Sequence, residues 1–240
     1  MNIIIIGYGK MGKEIEKICL EKKYTIFFKI NSKNSNKLTK SILEQCDVAI
    51  DFSNSEKVID TILLFFKNKI PVVSGSTDWI NVLNKIKDKC IEYNSAFLHS
   101  PNFSIGMNIF FQLNKTLAKK MNHLNEYKVS IDETHHLNKK DKPSGTAIKL
   151  ANDIINNINR IDKWSFDENL KKQVAISSKR KGDYKGIHQI NFSSNIDSIT
   201  INHTAHSREG FAKGAILAAE FIKNKKGIFT LDDIINKIND

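Results

Sequence analysis

The chain alternates between β-branched apolar runs and amphipathic stretches at helical spacing. Asn2-Ile3-Ile4-Ile5-Ile6 is an unbroken apolar run, the pattern of a strand buried on both faces. It leads into Gly7-Tyr8-Gly9-Lys10-Met11-Gly12, after which Ile15, Ile18 and Cys19 fall on one helical stripe. Further strands are expected at residues 24–30, 47–52, 70–74 and 95–99. Helices are expected at 42–46, from an N-cap at Ser53 or Ser55 through Phe66, and at 78–89. Strands alternating with helices imply a parallel sheet. The rhythm changes near Pro101. A helix over residues 105–121 is followed by strand-like segments at 127–133, 172–179, 186–193 and 198–204, with a helix over 147–159 between the first two. This is the pattern of an α+β unit with a mixed sheet. Residues 215–223 and 231–238 then return to helix. Phe110, Phe111 and Leu113 read as core, and Trp79 and Trp164 as packing residues.

The fold class is therefore α/β: an N-terminal Rossmann dinucleotide-binding domain followed by an α+β unit. A strand, a G-x-G-x-x-G turn and a helix form the context in which glycines serve a pyrophosphate. The first permits the tight turn, the second close backbone approach, and the third close helix–strand packing.

Composition narrows the class. The three cysteines, Cys19, Cys46 and Cys90, form no C-x-x-C pair, so neither a disulfide framework nor a zinc ribbon is indicated. No secretory signal or membrane-length apolar run is found, so a soluble, cytoplasmic protein is expected. The net charge of +11 raises a nucleic-acid partner. The lysines, however, are spread along the whole chain among Asn and Ile, which argues against it. A mildly basic cleft suits an acidic metabolite and a phosphate-bearing cofactor.

Residues 133–147 concentrate the chemistry: Glu133, the pair His135-His136, Lys139, Asp141 and the turn Pro143-Ser144-Gly145-Thr146. Imidazoles move protons near neutral pH, a lysine supplies a cation, and a Ser-Gly-Thr helix start offers free N–H groups to an anion. The set reads as a site that holds a carboxylate and delivers a proton. Adjacent histidines lack the i,i+4 spacing of a helical ligand pair, so no metal is expected.

With these pieces in order, the chain resembles the 4-hydroxy-tetrahydrodipicolinate (dihydrodipicolinate) reductase family along nearly its whole length. The family's E-x-H-H-x-x-K-x-D-x-P-S-G-T signature is met at residues 133–146. Its D-F-[ST] strand end is met by Asp51-Phe52-Ser53, and its N-F-S segment by Asn102-Phe103-Ser104. Its R-x-G…G-x-H segment is met by Arg180, Gly182, Gly186 and His188. Its G-T-T-G loop is approximated by Gly75-Ser76-Thr77-Asp78, and its glycine motif is one residue shorter here.

The resemblance implies a discontinuous layout. Residues 1–103 and 215–240 would bind the nucleotide, and residues 104–214 would bind substrate and build a homotetramer. It implies NADH or NADPH as cofactor, a small dicarboxylate as substrate, and reduction with loss of water in lysine and diaminopimelate biosynthesis. Carried over by position, the catalytic residues are His135 and Lys139, and the substrate contacts are His136, Gly145 and Thr146. The cofactor contacts are Gly7, Tyr8, Gly9, Lys10, Met11, Gly75, Ser76, Thr77, Ser100, Pro101, Asn102 and Phe103. Arg180 and His188 are candidate helpers.

No acid follows the second strand to meet ribose hydroxyls, so Lys29 or Lys33 can attract a 2′-phosphate while Asn31 can still bond a ribose hydroxyl, and dual use with NADPH at least as good as NADH is expected. Two other classes compete. A cofactor sensor would not need His135, Lys139 and the Ser-Gly-Thr turn. A semialdehyde dehydrogenase needs a nucleophilic cysteine in its second domain, whereas all three cysteines precede Pro101.

Overall fold

A computed structural model describes residues 1–31, 34, 38–53, 58–77, 79–167 and 172–238. Ser55, Lys33 and Asp78, to which the sequence reading gives roles, lie outside them. The chain divides into two compact units: Met1–Ile105 with Arg208–Asp240, and Gly106–Ser207.

The first unit is built on a six-stranded parallel sheet. Its strands are β1 (Asn2–Ile6), β2 (Thr25–Ile30), β3 (Val48–Asp51), β4 (Val72–Ser74), β5 (Ala96–His99) and β11 (Gly227–Phe229), in the order β11-β5-β4-β3-β1-β2. All pairs are parallel, with Ile6 level with Ile30 on one side and Asp51 on the other. Helices α1 (Lys10–Glu21), α2 (Lys40–Glu44), α3 (Val58–Lys67), α4 (Leu83–Glu92), α7 (Glu209–Ile222) and α8 (Leu231–Ile238) belong to this unit. The isoleucine run behaves as its pattern requires, with Ile3, Ile4 and Ile5 fully buried. Burying each contributes about 1.5–3 kcal/mol. Ile3 and Ile5 join a core with Ala215, Ile216 and Ala219 of α7, while Ile4 and Ile6 pack with Phe65, Phe66 and Trp79.

The second unit holds a five-stranded mixed sheet. Its strands are β6 (Lys128–His135), β7 (Lys163–Ser165), β8 (Gln173–Arg180), β9 (Ile187–Ser193) and β10 (Ser198–Thr204), in the order β10-β9-β6-β8-β7. The β6–β8 and β8–β7 pairs are parallel and the others antiparallel. Helices α5 (Ile105–Met121) and α6 (Gly145–Ile155) share a core with the sheet through Phe110, Phe111, Leu150, Ile131, Ile176 and Phe192.

Four local readings change. The helix expected over 78–89 begins later, as α4, behind a 3₁₀ turn at Ile80–Val82. β7 and β11 are three-residue strands too short to announce themselves. Leu113 is half exposed rather than core, because Phe110, Phe111, Asn114, Ala118 and Met121 take the buried face of α5. Finally, α7 begins at Glu209, ahead of the expected start at 215, and runs through both Gly210 and Gly214. Gly214 is not a lead-in but a contact. A Cβ there would stand 1.8 Å from the Phe103 carbonyl oxygen.

Candidate active site

The predicted cofactor residues all follow the carboxyl ends of strands of the parallel sheet, β1, β4 and β5. Gly7, Tyr8 and Gly9 link β1 to α1, and Lys10 and Met11 begin that helix. Gly75, Ser76 and Thr77 follow β4, and Ser100, Pro101, Asn102 and Phe103 follow β5. This edge is where open α/β sheets take ligands. Gly7 has φ +84°, and a Cβ there would lie 2.6 Å from the Phe52 carbonyl oxygen and the Ser53 nitrogen. Only glycine fits a left-handed turn so closely covered. Gly9 caps α1 without any side-chain hydrogen bond. The first-turn N–H groups therefore have no side-chain cap and suit an anion.

Asp51 ties the loops together. Fully buried, it accepts from the Ser74 hydroxyl at 2.5 Å and the Ser53 N–H at 2.9 Å. Burial raises its carboxyl above the usual range, against the pull of those hydrogen bonds. The Ser76 hydroxyl donates to the Ser53 carbonyl at 2.6 Å, and His99 Nε2 lies 2.9 Å from the Ser76 carbonyl. The ring of Phe103 is buried against Phe52, with centroids 5.6 Å apart.

Lys29 is already engaged, contrary to the expectation that it awaits a phosphate. Its Nζ is 2.5 Å from Glu16 Oε1 and lies 4.4 Å over the Tyr8 ring, and the Tyr8 hydroxyl donates to the other Glu16 oxygen. The hydrogen bond from Lys29, then that from Tyr8, holds the Glu16 carboxyl below its usual range. The acid that neutralises Lys29 comes from α1, not from the end of β2 where a ribose-binding acid would be sought.

The second unit gathers the proton-handling residues. His135 ends β6, and Lys139 stands in the loop after it. Lys139 Nζ pairs with Asp141 Oδ1 at 2.9 Å. Asp141 also accepts from the Gly145 N–H. Burial pushes its carboxyl up, but Lys139 outweighs that and holds it below its usual range. Ser144 caps α6 by accepting from the Ala147 N–H at 3.2 Å. Gly145 and Thr146 form the first turn, with open space where a Gly145 side chain would be. The His136 N–H donates to the Tyr184 carbonyl at 2.8 Å.

Glu133, part of the sequence signature but given no role there, is the hub. It is 1% exposed. Its Oε1 accepts from the Ser178 hydroxyl at 2.6 Å, the Ser144 N–H at 2.9 Å and Arg180 Nη2 at 3.3 Å. Its Oε2 faces His135 Nδ1 at 3.2 Å and His188 Nε2 at 3.7 Å. Sheet register creates this: Glu133 is level with Ser178 on β8 and with His188 on β9, and His135 is level with Arg180. The signal was present as period two. Val129, Ile131, Glu133 and His135 share one buried face of β6. Burial would raise the Glu133 carboxyl, yet hydrogen bonds from His135, Ser144 and Ser178 hold it far below the usual range.

Among the described residues, Glu133, His135 and His188 are the one group whose ligand atoms cluster as a metal site would, within 4.8 Å of one another. The Arg180 guanidinium on the same carboxylate opposes a second cation there.

His188 is pushed down to about 3 by burial first and by His135 next, with Glu133 opposing. Between an ordinary value of 6.5 and about 3 the unfolded chain binds a proton that the folded chain refuses. Stability should therefore fall as pH drops through that window, by about 2 kcal/mol near pH 5. Glu133 adds its own loss only below its ordinary 4.5. Urea unfolding at neutral pH and near pH 5 should show the loss, and His188→Gln should flatten it. An equal slope in that variant would rule out His188 as its source.

Comparison with known proteins bears on both units. Residues 1–103 match the family described as "Dihydrodipicolinate reductase, N-terminus", and residues 106–235 match its C-terminal counterpart. The chain is 43% identical to the 4-hydroxy-tetrahydrodipicolinate reductase of Christiangramia forsetii, over 99% of each chain. It is 36% identical to that of Rickettsia rickettsii, over 98% of each. The fold resembles a solved structure of dipicolinate-bound dihydrodipicolinate reductase from Paenisporosarcina sp. TG-14. That match has a TM-score of 0.78 and 22% identity, covering 96% of this chain and 97% of the other.

Proposed function

The chain belongs to the dihydrodipicolinate reductase family, and from that premise we propose how its residues perform the family's reaction. It is an NAD(P)H-dependent oxidoreductase of lysine and diaminopimelate biosynthesis. It reduces (2S,4S)-4-hydroxy-2,3,4,5-tetrahydrodipicolinate to tetrahydrodipicolinate with loss of water. The nicotinamide cofactor supplies the hydride when bound. Gly7, Tyr8, Gly9, Lys10 and Met11 hold its pyrophosphate at the start of α1. Gly75, Ser76 and Thr77, with Ser100, Pro101, Asn102 and Phe103, line the adjoining loops. Hydride addition to an unsaturated ring builds negative charge on the conjugated atom, which must be protonated. His135 is the donor. Lys139 neutralises substrate charge, and Gly145 and Thr146 N–H groups bind a carboxylate, with His136 beside them.

One observation carries the substrate class. The chain's own Asp141 carboxylate lies on Lys139 Nζ and the Gly145 N–H. Those donors are thus arranged for a carboxylate, and Asp141, half exposed, is free to yield to one. The working enzyme is a cytoplasmic homotetramer in this reading.

Purified protein should consume NADH or NADPH only when freshly generated substrate is added. Folded protein that binds cofactor without turnover would favour the sensor. The same assay addresses cofactor choice. With Lys29 neutralised by Glu16, the two cofactors should be used comparably. Glu16→Gln should release Lys29 and raise the NADPH/NADH ratio of kcat/KM by about 3- to 10-fold, a discounted share of a charge-assisted contact. An unchanged ratio would remove Lys29 from cofactor selection.

A further inference from the structure

We propose that Glu133 is the positioning residue of His135, holding the Nδ1 proton so that Nε2 is the nitrogen that delivers a proton to substrate. The inference rests on His135 being the proton donor. Three geometric facts carry it. Glu133 Oε2 and His135 Nδ1 are 3.2 Å apart, both are buried, and neither has a hydrogen-bond partner elsewhere or an aligned one in each other, so each is the nearest group able to satisfy the other. The other carboxylate oxygen is taken by Ser144, Ser178 and Arg180, which fixes the plane and rotamer of the group. At the other nitrogen, Gly186 at φ +150° comes close without a side chain: a Cβ there would stand 3.2 Å from Nε2. One nitrogen thus faces a carboxylate, and the other is flanked by a glycine that puts no Cβ against it.

Proton balance follows. Before transfer His135 carries both ring protons, and Glu133 stabilises that cation. Nε2 then gives its proton to the substrate carbon conjugated to the hydride acceptor, leaving the neutral Nδ1–H tautomer on Glu133. The other charged and titratable groups around His135 are Arg180 from β8, His188 from β9, His203 from β10, and Lys139 and Asp141 from the loop after β6. His188 is held neutral and adds no charge. Arg180 shares the carboxylate through Oε1 alone and is spread over the carbonyls of Lys139, Lys179 and Asp141, so Oε2 is left to the imidazole.

Glu133→Gln is the informative variant because its orientation is dictated. The Ser144 N–H and Ser178 O–H need an oxygen at the Oε1 position, so the amide NH₂ faces His135 Nδ1. A donor there makes Nδ1 an acceptor and moves the neutral-form proton to Nε2. The variant should show three changes: an inverted His135 tautomer by ¹⁵N NMR, a kcat about 10²-fold lower at unchanged cofactor affinity, and an alkaline limb of the pH–rate profile moved lower, the direction expected when a neighbouring opposite charge is lost. Glu133→Asp, which keeps the charge, should retain more kcat than Glu133→Gln. A merely structural role predicts equal losses and an unmoved profile.

The wild-type tautomer, read without any variant, keeps the test decisive if Glu133→Gln fails to fold. Nδ1–H in the free enzyme supports the proposal, and Nε2–H overturns it. A folded Glu133→Gln with wild-type tautomer and pH profile overturns it as well. These readouts need no turnover by His135 variants. A normal kcat in His135→Gln would sink the donor assignment instead, so the two failures are distinguishable.

Discussion

His135→Gln should lower kcat by about 10²- to 10⁴-fold, the span observed when a general acid is removed. That equals about 3–5.5 kcal/mol of lost transition-state stabilisation. Glutamine roughly matches the size of the imidazole and can still meet Glu133 with its amide, so the buried carboxylate is not stranded. The loss should appear in kcat and barely in cofactor affinity, because the cofactor set and His135 belong to different units of the chain. Steady-state kinetics with cofactor binding followed by fluorescence would separate the two. A variant within a few-fold of wild-type kcat would remove His135 from the chemistry and leave Lys139 as the proton source to test.

The largest effect on stability should come from Gly214→Ala. The added Cβ would stand 1.8 Å from the Phe103 carbonyl oxygen and 2.9 Å from its carbon. These are backbone atoms and cannot swing aside as a side-chain end would. Either α7 backs away from the chain at Phe103, or that chain moves. Its neighbours Ala212, Ala215 and Ile216 are all fully buried, so displacing the helix opens the core under β1 and β3. A cost of about 3 kcal/mol or more is expected, above the usual overpacking range, despite alanine's better helix propensity. For a chain of this size that corresponds to a midpoint lowered by about 6–12 °C. A thermal scan showing no change would mean that the contact relaxes without cost.

Much of this molecule was legible in sequence because the legible parts rest on local rules. The run Ile3 to Ile6, the glycine turn behind it and the Ser144 cap each carry their conformation in their own residue types. The signature from Glu133 to Thr146 announced a site as a block. What escaped reading depends on partners distant in sequence. Glu133 meets His188 and Ser178 only through the register of β6 with β9 and β8. Lys29 loses its free charge to Glu16 on a preceding helix. The helix was expected to start only after Gly214, because the Phe103 carbonyl that requires a glycine inside it lies far back along the chain. β11 exists only as an edge added to β5.

The first unit is made of two segments that flank the second, and this orders events during synthesis. Residues 1–105 emerge first but lack α7, which covers β1 and β3, and β11, which borders β5. They leave the ribosome with one face of their sheet uncovered. Residues 106–207 are contiguous, carry their own core and can complete while the earlier segment waits. The nucleotide-binding unit is therefore begun before the insert and finished after it. On stalled ribosomes exposing the chain only to residue 207, protease should cut the first hundred residues and spare the insert. The opposite pattern would mean that the early sheet holds together without its last helix.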